Sequence, residues 1–220
     1  MSYYKKFGTV LKNPIFIAYL EWAYRKGLAD LARLNVKTNF HKTNFTCLLC
    51  GVGNEHTADQ FIKFVIKRNI QAKIWIVDLG EEQIEAITKL VKEKYINRDI
   101  TVIKINALRL EKIIPNESLD WIETDGVLEF FDDSSLEKLL NIWKILLKPD
   151  GFITTRDYST GNGISKITDA LRILIFKHWL GVSLFRHTHK EFNDLFEKIG
   201  FKYFEGSTPL PTYKRFCIIK

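Results

Sequence analysis

From residue 44 onward the chain alternates between short apolar runs and longer segments whose apolar residues recur at helical spacing. The runs NFTCLLC (44–50), KIWIVDL (73–79), ITVIKIN (100–106), LDWIET (119–124) and FITTRDY (152–158) predict five strands. Between them, EHTADQFIKFVIKRN (55–69), EEQIEAITKLVKEKY (81–95) and SSLEKLLNIWKILL (134–147) predict helices. The second of these has acids in its first turn and lysines toward its last, as the helix dipole prefers. A serine cap with Glu137 nearby opens the third, and KPDG (148–151) reads as the turn that stops it. Residues 1–43 read as N-terminal helices, THKEFNDLFEKIG (188–200) as a helix ended by Gly200, and FKYFEG (201–206) with RFCIIK (215–220) as an edge hairpin.

Strand–helix alternation of this kind requires right-handed crossovers and yields a parallel sheet covered on both faces. The near-continuous apolar character of the first two strands fits burial on both sides. The expected architecture is therefore α/β, a Rossmann-like doubly wound, mostly parallel seven-stranded sheet whose last strand is antiparallel, with N-terminal helices over it. With 220 residues, 46% of them hydrophobic, the chain can bury one core, and no linker-like stretch divides it.

The net charge of +7 and a pI near 9.2 admit a polyanionic partner such as RNA, or an anionic membrane surface. Lysines scattered along solvated helix faces explain the same figure. Three cysteines, Cys47, Cys50 and Cys217, without a signal sequence, point to a reducing, cytoplasmic setting. Cys47 and Cys50 lie three apart on a strand and so face opposite ways, which argues against a redox pair. No second ligand pair completes a metal site. The greasy stretches 15–24 and 171–185 are interrupted by Glu21, Arg172, Lys177 and His178, too early for a membrane span. They read as helices that pack on the core or cover a ligand.

One short stretch carries candidate chemistry. In LLCGVGNEHTADQF (48–61), Gly51 and Gly53 fall at the carboxyl end of the first strand, where open parallel sheets bind ligands. Glycine admits positive φ and close approach to the backbone, and the next helix offers free N–H groups. A dinucleotide fingerprint would need a third glycine where His56 stands, and no phosphate loop of the G-x-x-x-x-G-K type occurs. A plain structural turn remains the simpler alternative for the motif alone. Asp78 closes the second strand, where its carboxylate can accept two ribose hydroxyls or cap the helix that begins at Glu81.

In order and spacing, LLCGVGNEHT, IWIVDLGEEQIEAI, IKINALRLEKIIPNESLDWIETDGVLEFFDD and IWKILLKPDGFITTRDY resemble the successive motifs of class I S-adenosylmethionine-dependent methyltransferases. The likeness covers roughly residues 44–158 and is most specific over SLDWI…DGVLEFFDD…ILLKPDGF, which is similar to the small-molecule, quinone-biosynthesis branch. It implies a cofactor, S-adenosyl-L-methionine, with S-adenosyl-L-homocysteine as product. It also implies a division of 1–220 into an N-terminal cap (1–43), a cofactor core (44–158), an acceptor-side helical insert (159–200) and a C-terminal hairpin (201–220).

By that resemblance Cys50, Gly51, Val52 and Gly53 line the methionine part and ribose, Asp78 holds the ribose hydroxyls, and Leu79 packs on adenine. Asn106 and Ala107 meet the adenine amino group and ring, Asp125, Gly126 and Val127 lie beneath the methionine, and Asp120 has a structural task. Three positions depart from the family: Leu49 replaces an acid, Glu55 a glycine, and Asn106 an acid. Glu55 can supply the missing charge near the ammonium or serve as a first-turn acid, and Asn106 can still accept through its amide oxygen.

Methyl transfer from a sulfonium needs alignment and exclusion of water more than a nucleophile. Candidate bases are Asp157, Tyr158, His187 and His189, with His178 a further histidine. Aromatics of the insert and Tyr3, Tyr4, Phe7 and Trp22 could wall a small, partly apolar acceptor. Two alternatives stay open: a tRNA base methyltransferase, since CGVGN, PNESLD and RDY also resemble 3-methylcytidine enzymes, and a binding protein without catalysis. Against the first stands the absence of a clustered arginine patch in the sequence.

Overall fold

The computed structural model describes residues 4–6, 11–161, 164–210 and 212–220, the side chains of residues 164, 165 and 180 apart. Tyr3 and Phe7, and residues 162–163 of the glycine-bearing loop, lie outside the described residues. Strands β1 (Thr46–Cys50), β2 (Lys73–Asp78), β3 (Ile100–Lys104), β4 (Leu119–Asp125) and β5 (Leu147–Tyr158) pair in parallel, and β7 (Tyr213–Ile219) is inserted antiparallel between β5 and β6 (Lys202–Ser207). The sheet order is β3-β2-β1-β4-β5-β7-β6, so the winding reverses between β1 and β4.

One face is covered by α1 (Pro14–Asp30), α2 (Glu55–Ile66) and α3 (Glu81–Lys94), over a core with Trp121 at its centre. Trp121 is ringed by Tyr24, Phe40, Phe61, Phe64 and Phe152. The other face is covered by α4 (Asp133–Leu146) and α6 (His189–Ile199), over Trp143, Phe192, Phe196 and Phe216. A further helix, α5 (Ile164–Ile175), runs on through a π-turn, Phe176–Leu180.

The local chemistry that sets these elements is visible in their caps. Asn54 caps α2 by accepting from His56 N and Thr57 N, and Thr188 with Glu191 forms a reciprocal cap on α6, which Gly200 ends at φ 79°. Two expectations need correction. The cap of α4 is the carboxylate of Asp132, which accepts Ser135 N at 2.8 Å, rather than a serine. KPDG does not separate α4 from β5. It is a bulge inside β5, where pairing steps from Leu119–Leu147 to Trp121–Phe152. A Cβ on Gly151 would come within 2.8 Å of Leu119 O, so the bulge needs glycine for its closeness to β4.

Asp120 has the structural task expected of it. Its carboxylate accepts Thr46 N at 2.9 Å and meets Lys42 and Lys148 at 3.2 and 2.6 Å, joining the starts of β1 and β4. The three cysteines are free and buried, and burial pushes each thiol upward, so Cys47 and Cys50 behave as core residues. Among the described residues no helix is long and apolar enough to cross a membrane, and no group of His, Cys, Asp and Glu is placed to hold a metal ion.

Candidate functional site

Three turns meet at the carboxyl edge of the sheet where the winding reverses. After β1, Gly51 adopts φ 77° and donates to Val77 O at 2.9 Å. After β2, Asp78 accepts Val52 N at 2.7 Å through one oxygen and Gly80 N at 2.6 Å through the other. After β4, Gly126 adopts φ 64° and donates to Arg156 O at 2.7 Å. Asp78 is therefore a staple between the glycine loop and the turn after β2. Burial pushes its carboxyl above the usual range, and the amides of Val52, Gly80 and Leu79 pull it partly back. A carboxylate offers roughly four lone-pair sites, so two hydroxyl donors can still join.

The glycines have tasks within the chain itself. A Cβ on Gly51 would lie 2.4 Å from Val127 Cγ2, and one on Gly53 would lie 2.3 Å from Leu11 Cδ1. The loop after β4 fills the first space, and the N-terminal segment fills the second. That segment holds on further by Tyr4, whose hydroxyl donates to Glu55 at 2.5 Å, and by Lys12, 3.6 Å from the same carboxylate. Glu55, read as a stand-in for a missing acid near an ammonium, is thus engaged by the N-terminal segment and by His56 at 3.1 Å.

Leu79 is exposed at the rim beside Asp78. Asn106 caps the turn Ala107–Lys112, its Oδ1 accepting Leu108 N at 2.8 Å, so the oxygen expected to meet an adenine amino group is shared with the backbone. Ala107 follows it, half-buried. Asp125 is held from two sides: Arg156 Nη2 lies at 3.0 Å, and Tyr213 donates its hydroxyl to the other oxygen. Cys50, Val52 and Val127 complete the rim, Cys50 O accepting the Thr124 hydroxyl at 2.7 Å.

The four base candidates separate clearly. Asp157 is fully buried and accepts Val127 N, Leu128 N and Glu129 N at 3.0, 2.8 and 3.2 Å, so it shapes the loop after β4 and has no face toward a ligand. Burial, then the charge of Glu129, holds its carboxyl well above the ordinary value. His187 is also buried, bonded to Phe131 O at 2.9 Å and packed on Phe192. It is a core residue. Tyr158 is half-buried, with the Arg172 guanidinium 3.5 Å from its ring centroid and Tyr213 edge-on at 4.8 Å. His189 is partly exposed, with Nδ1 2.8 Å from Ser159 Oγ and 3.3 Å from Glu205. His178 is exposed on the π-turn.

Two buried ionic groups beside this edge were not anticipated. In the first, Arg156 Nη2 lies 2.5 Å from Glu123, whose other oxygen accepts the Thr154 hydroxyl, and Thr154 in turn accepts Trp121 Nε1 at 2.6 Å. In the second, Arg172 of α5 lies 2.5 Å from Glu129 and 2.7 Å from Asp169, and Asp169 accepts the Thr160 hydroxyl at 2.7 Å. Burial raises Glu123 and Glu129 to about 7 against the pull of their arginines. Charged letters inside otherwise apolar strands, WIETD and TTRDY, were the available signal. Register then pairs Asp125 with Arg156 directly.

Away from this edge, a surface groove of about 490 Å³ between α1 and α2 gathers Arg25, Lys63, Lys67 and Arg68 against one acid, Glu21. Arg68 lies 3.4 Å from the Phe64 ring centroid. The basic cluster missing from the linear sequence is therefore assembled by the fold.

No protein-family model matches the chain, and no curated protein matches it. Solved structures do. All of the chain aligns with 61% of the mitomycin 7-O-methyltransferase MmcR, at 15% identity and a TM-score of 0.61. A SAM-dependent methyltransferase from Aquifex aeolicus aligns over 96% of both chains, at 14% identity and a TM-score of 0.62. DszA carbon methyltransferase gives a TM-score of 0.67 at 15% identity, over 96% of this chain and 56% of that one. The fold is that of the class I S-adenosylmethionine-dependent methyltransferases.

Proposed function

We propose that the protein binds S-adenosyl-L-methionine at the carboxyl edge of β1, β2 and β4 and transfers its methyl group to a small, partly apolar acceptor. The observation that carries the reading is the staple at Asp78, which draws the glycine loop and the β2 turn together at the reversal of the sheet. The bound cofactor supplies a sulfonium methyl group open to in-line displacement. The chain's own residues do the rest.

Asp78 accepts the ribose hydroxyls, which relieves the desolvation of its carboxylate. Leu79 gives the adenine an apolar face, with Asn106 and Ala107 at its edge. Asp125, held by Arg156 and Tyr213, attracts the ammonium group, and Gly51 to Gly53 with Gly126 and Val127 supply backbone beside the methionine. An acceptor hydroxyl would give its proton to a group near the insert. His189, the most accessible of these groups, and half-buried Tyr158 beside Arg172 stand nearest to such an acceptor, while Glu129 is buried in its pair with Arg172.

Isothermal titration tests the reading. Micromolar binding, roughly −8 kcal/mol, is expected for S-adenosylmethionine. Affinity should fall as pH is lowered through the raised titration of Asp78, because a protonated carboxyl loses an acceptor site. Asp78→Asn should weaken binding at least tenfold while its thermal midpoint is checked separately, since the same side chain staples the loop. No binding by the wild type, or preference for a nicotinamide cofactor, refutes the proposal.

The groove lined by Arg25, Lys63, Lys67 and Arg68 favours one second reading, an RNA acceptor. A gel shift with tRNA that weakens with salt and with Lys67→Glu would support it, and no shift at low salt removes it.

A further inference from the structure

Helix α5 has its polarity reversed relative to an ordinary surface helix. The side it turns to the protein carries Asp169 and Arg172, which bond to Thr160, Glu129 and the Tyr158 ring. The side it turns to solvent carries Ile167 at 71% exposure, Leu171 at 57%, Leu174 and Ile175. Positions 167, 171 and 174 form one stripe at helical spacing, and Ile175 widens it. Trp179 and Phe185 continue the apolar surface beyond the helix. Half of the large apolar side chains exposed among the described residues, six of twelve, fall in these nineteen positions. Scattered surface leucines need no explanation, but a contiguous stripe does.

Charge indicates what covers it. From residue 164 to residue 190 the only acid is Asp169, buried in its pair with Arg172. The exposed ionised groups there are all cations, Lys166, Lys177, Arg186 and Lys190, of which Lys190 is paired with Asp194 of α6. A second copy of the chain meeting this face about a twofold axis would set like charges against each other. An anionic surface meets no such penalty. Apolar residues including Trp on one side, with Lys166, Lys177 and Arg186 beside them and no exposed acid within residues 164–187, suit a helix lying in a lipid headgroup layer.

We propose that α5 and its continuation to Phe185 dock the protein, peripherally and reversibly, on an anionic lipid bilayer. The attachment does not depend on methyl transfer, so it can fail or stand apart from that reading. Co-sedimentation of the full chain with vesicles tests it. Binding is expected to vesicles of phosphatidylcholine mixed with phosphatidylglycerol, to weaken in high salt, and to be slight on phosphatidylcholine alone. A double variant, Leu171→Glu with Leu174→Glu, should lower partitioning by about tenfold or more with an unchanged thermal midpoint. Should that variant lose its fold, Lys177→Glu with Arg186→Glu reads the electrostatic half, with loss of the preference for phosphatidylglycerol expected. Absence of binding at low salt, or unchanged partitioning in a folded double variant, overturns the proposal. So does a dimer in sedimentation equilibrium that dissociates in the same variant, because the stripe then belongs to a second copy.

Discussion

Helices α1 and α5 are both rich in apolar residues and both carry a few charges, α1 lying over a face of the sheet and α5 beside its carboxyl edge. In α1, Ile15 at its start apart, the large apolar residues pack inward: Leu20 is 2% exposed, Tyr24 sits edge-on to Phe61 and Trp121, and a Cβ on Gly27 would meet Thr154 at 3.0 Å. In α5 the large residues face outward, and Arg172, oriented by Asp169 of the same helix, reaches Glu129 of the body. The first helix is held mainly by burial, which is non-directional and insensitive to pH, with one buried ion pair, Asp30 to Arg215, at its last residue. The other is held by polar contacts, the Arg172–Glu129 ion pair and the Asp169–Thr160 hydrogen bond, which are directional, and the ion pair titrates. Hydropathy alone does not separate them, because it counts residues without saying which side of the helix looks at the sheet.

The comparison can be broken in four ways. The largest effect is expected for Leu20→Ala, about 4 kcal/mol of lost stability in urea unfolding, because it opens a cavity in a closed aromatic core. Next comes Arg172→Met. Removing the cation from a buried pair costs about 3 kcal/mol at pH 8, and less at pH 6, where Glu129 can take up a proton.

A smaller effect isolates the titration. Glu129 has its folded-state value raised from the ordinary glutamate range to about 7, so the folded chain binds this proton more tightly than the unfolded one. Its contribution is fully present below the glutamate range and is lost as pH rises toward 7. Glu123 has the same sign. Glu129→Gln should flatten part of that decline, measured as unfolding free energy against pH. An unchanged profile would assign the slope to the other raised carboxyls, Glu123, Asp157 and Asp78. The smallest effect is expected for Leu171→Ala, within about 0.5 kcal/mol, despite the same loss of side-chain bulk as in Leu20→Ala. A large loss there would mean that α5 packs its apolar stripe on the protein after all.

The strands and the helices of the core were legible because their apolar periods are strict and their ends carry caps and glycines. Asp78 and Gly51 could be located from strand ends alone, and the structure puts them within one hydrogen-bonded turn system. What was not legible depends on register and on packing across distant segments. KPDG looks like a loop to any local rule, yet the step in pairing between β4 and β5 keeps it in a strand. Asp157 and His187 look like proton-transfer groups by type and position, yet three amides and a carbonyl already engage them. Leu11 over Gly53 joins residues 42 apart in sequence, and no pattern announces it.

The insertion of β7 has a consequence for how this edge is made. Strand β6 joins the sheet only through β7, although it is synthesised first. Its place in the sheet therefore depends on β7 lying beside β5, while Tyr203 also packs on Phe196 of α6. Tyr213 arrives with β7 and brings the hydroxyl that Asp125 accepts. One late strand thus completes both the sheet edge and the second hold on the rim carboxylate.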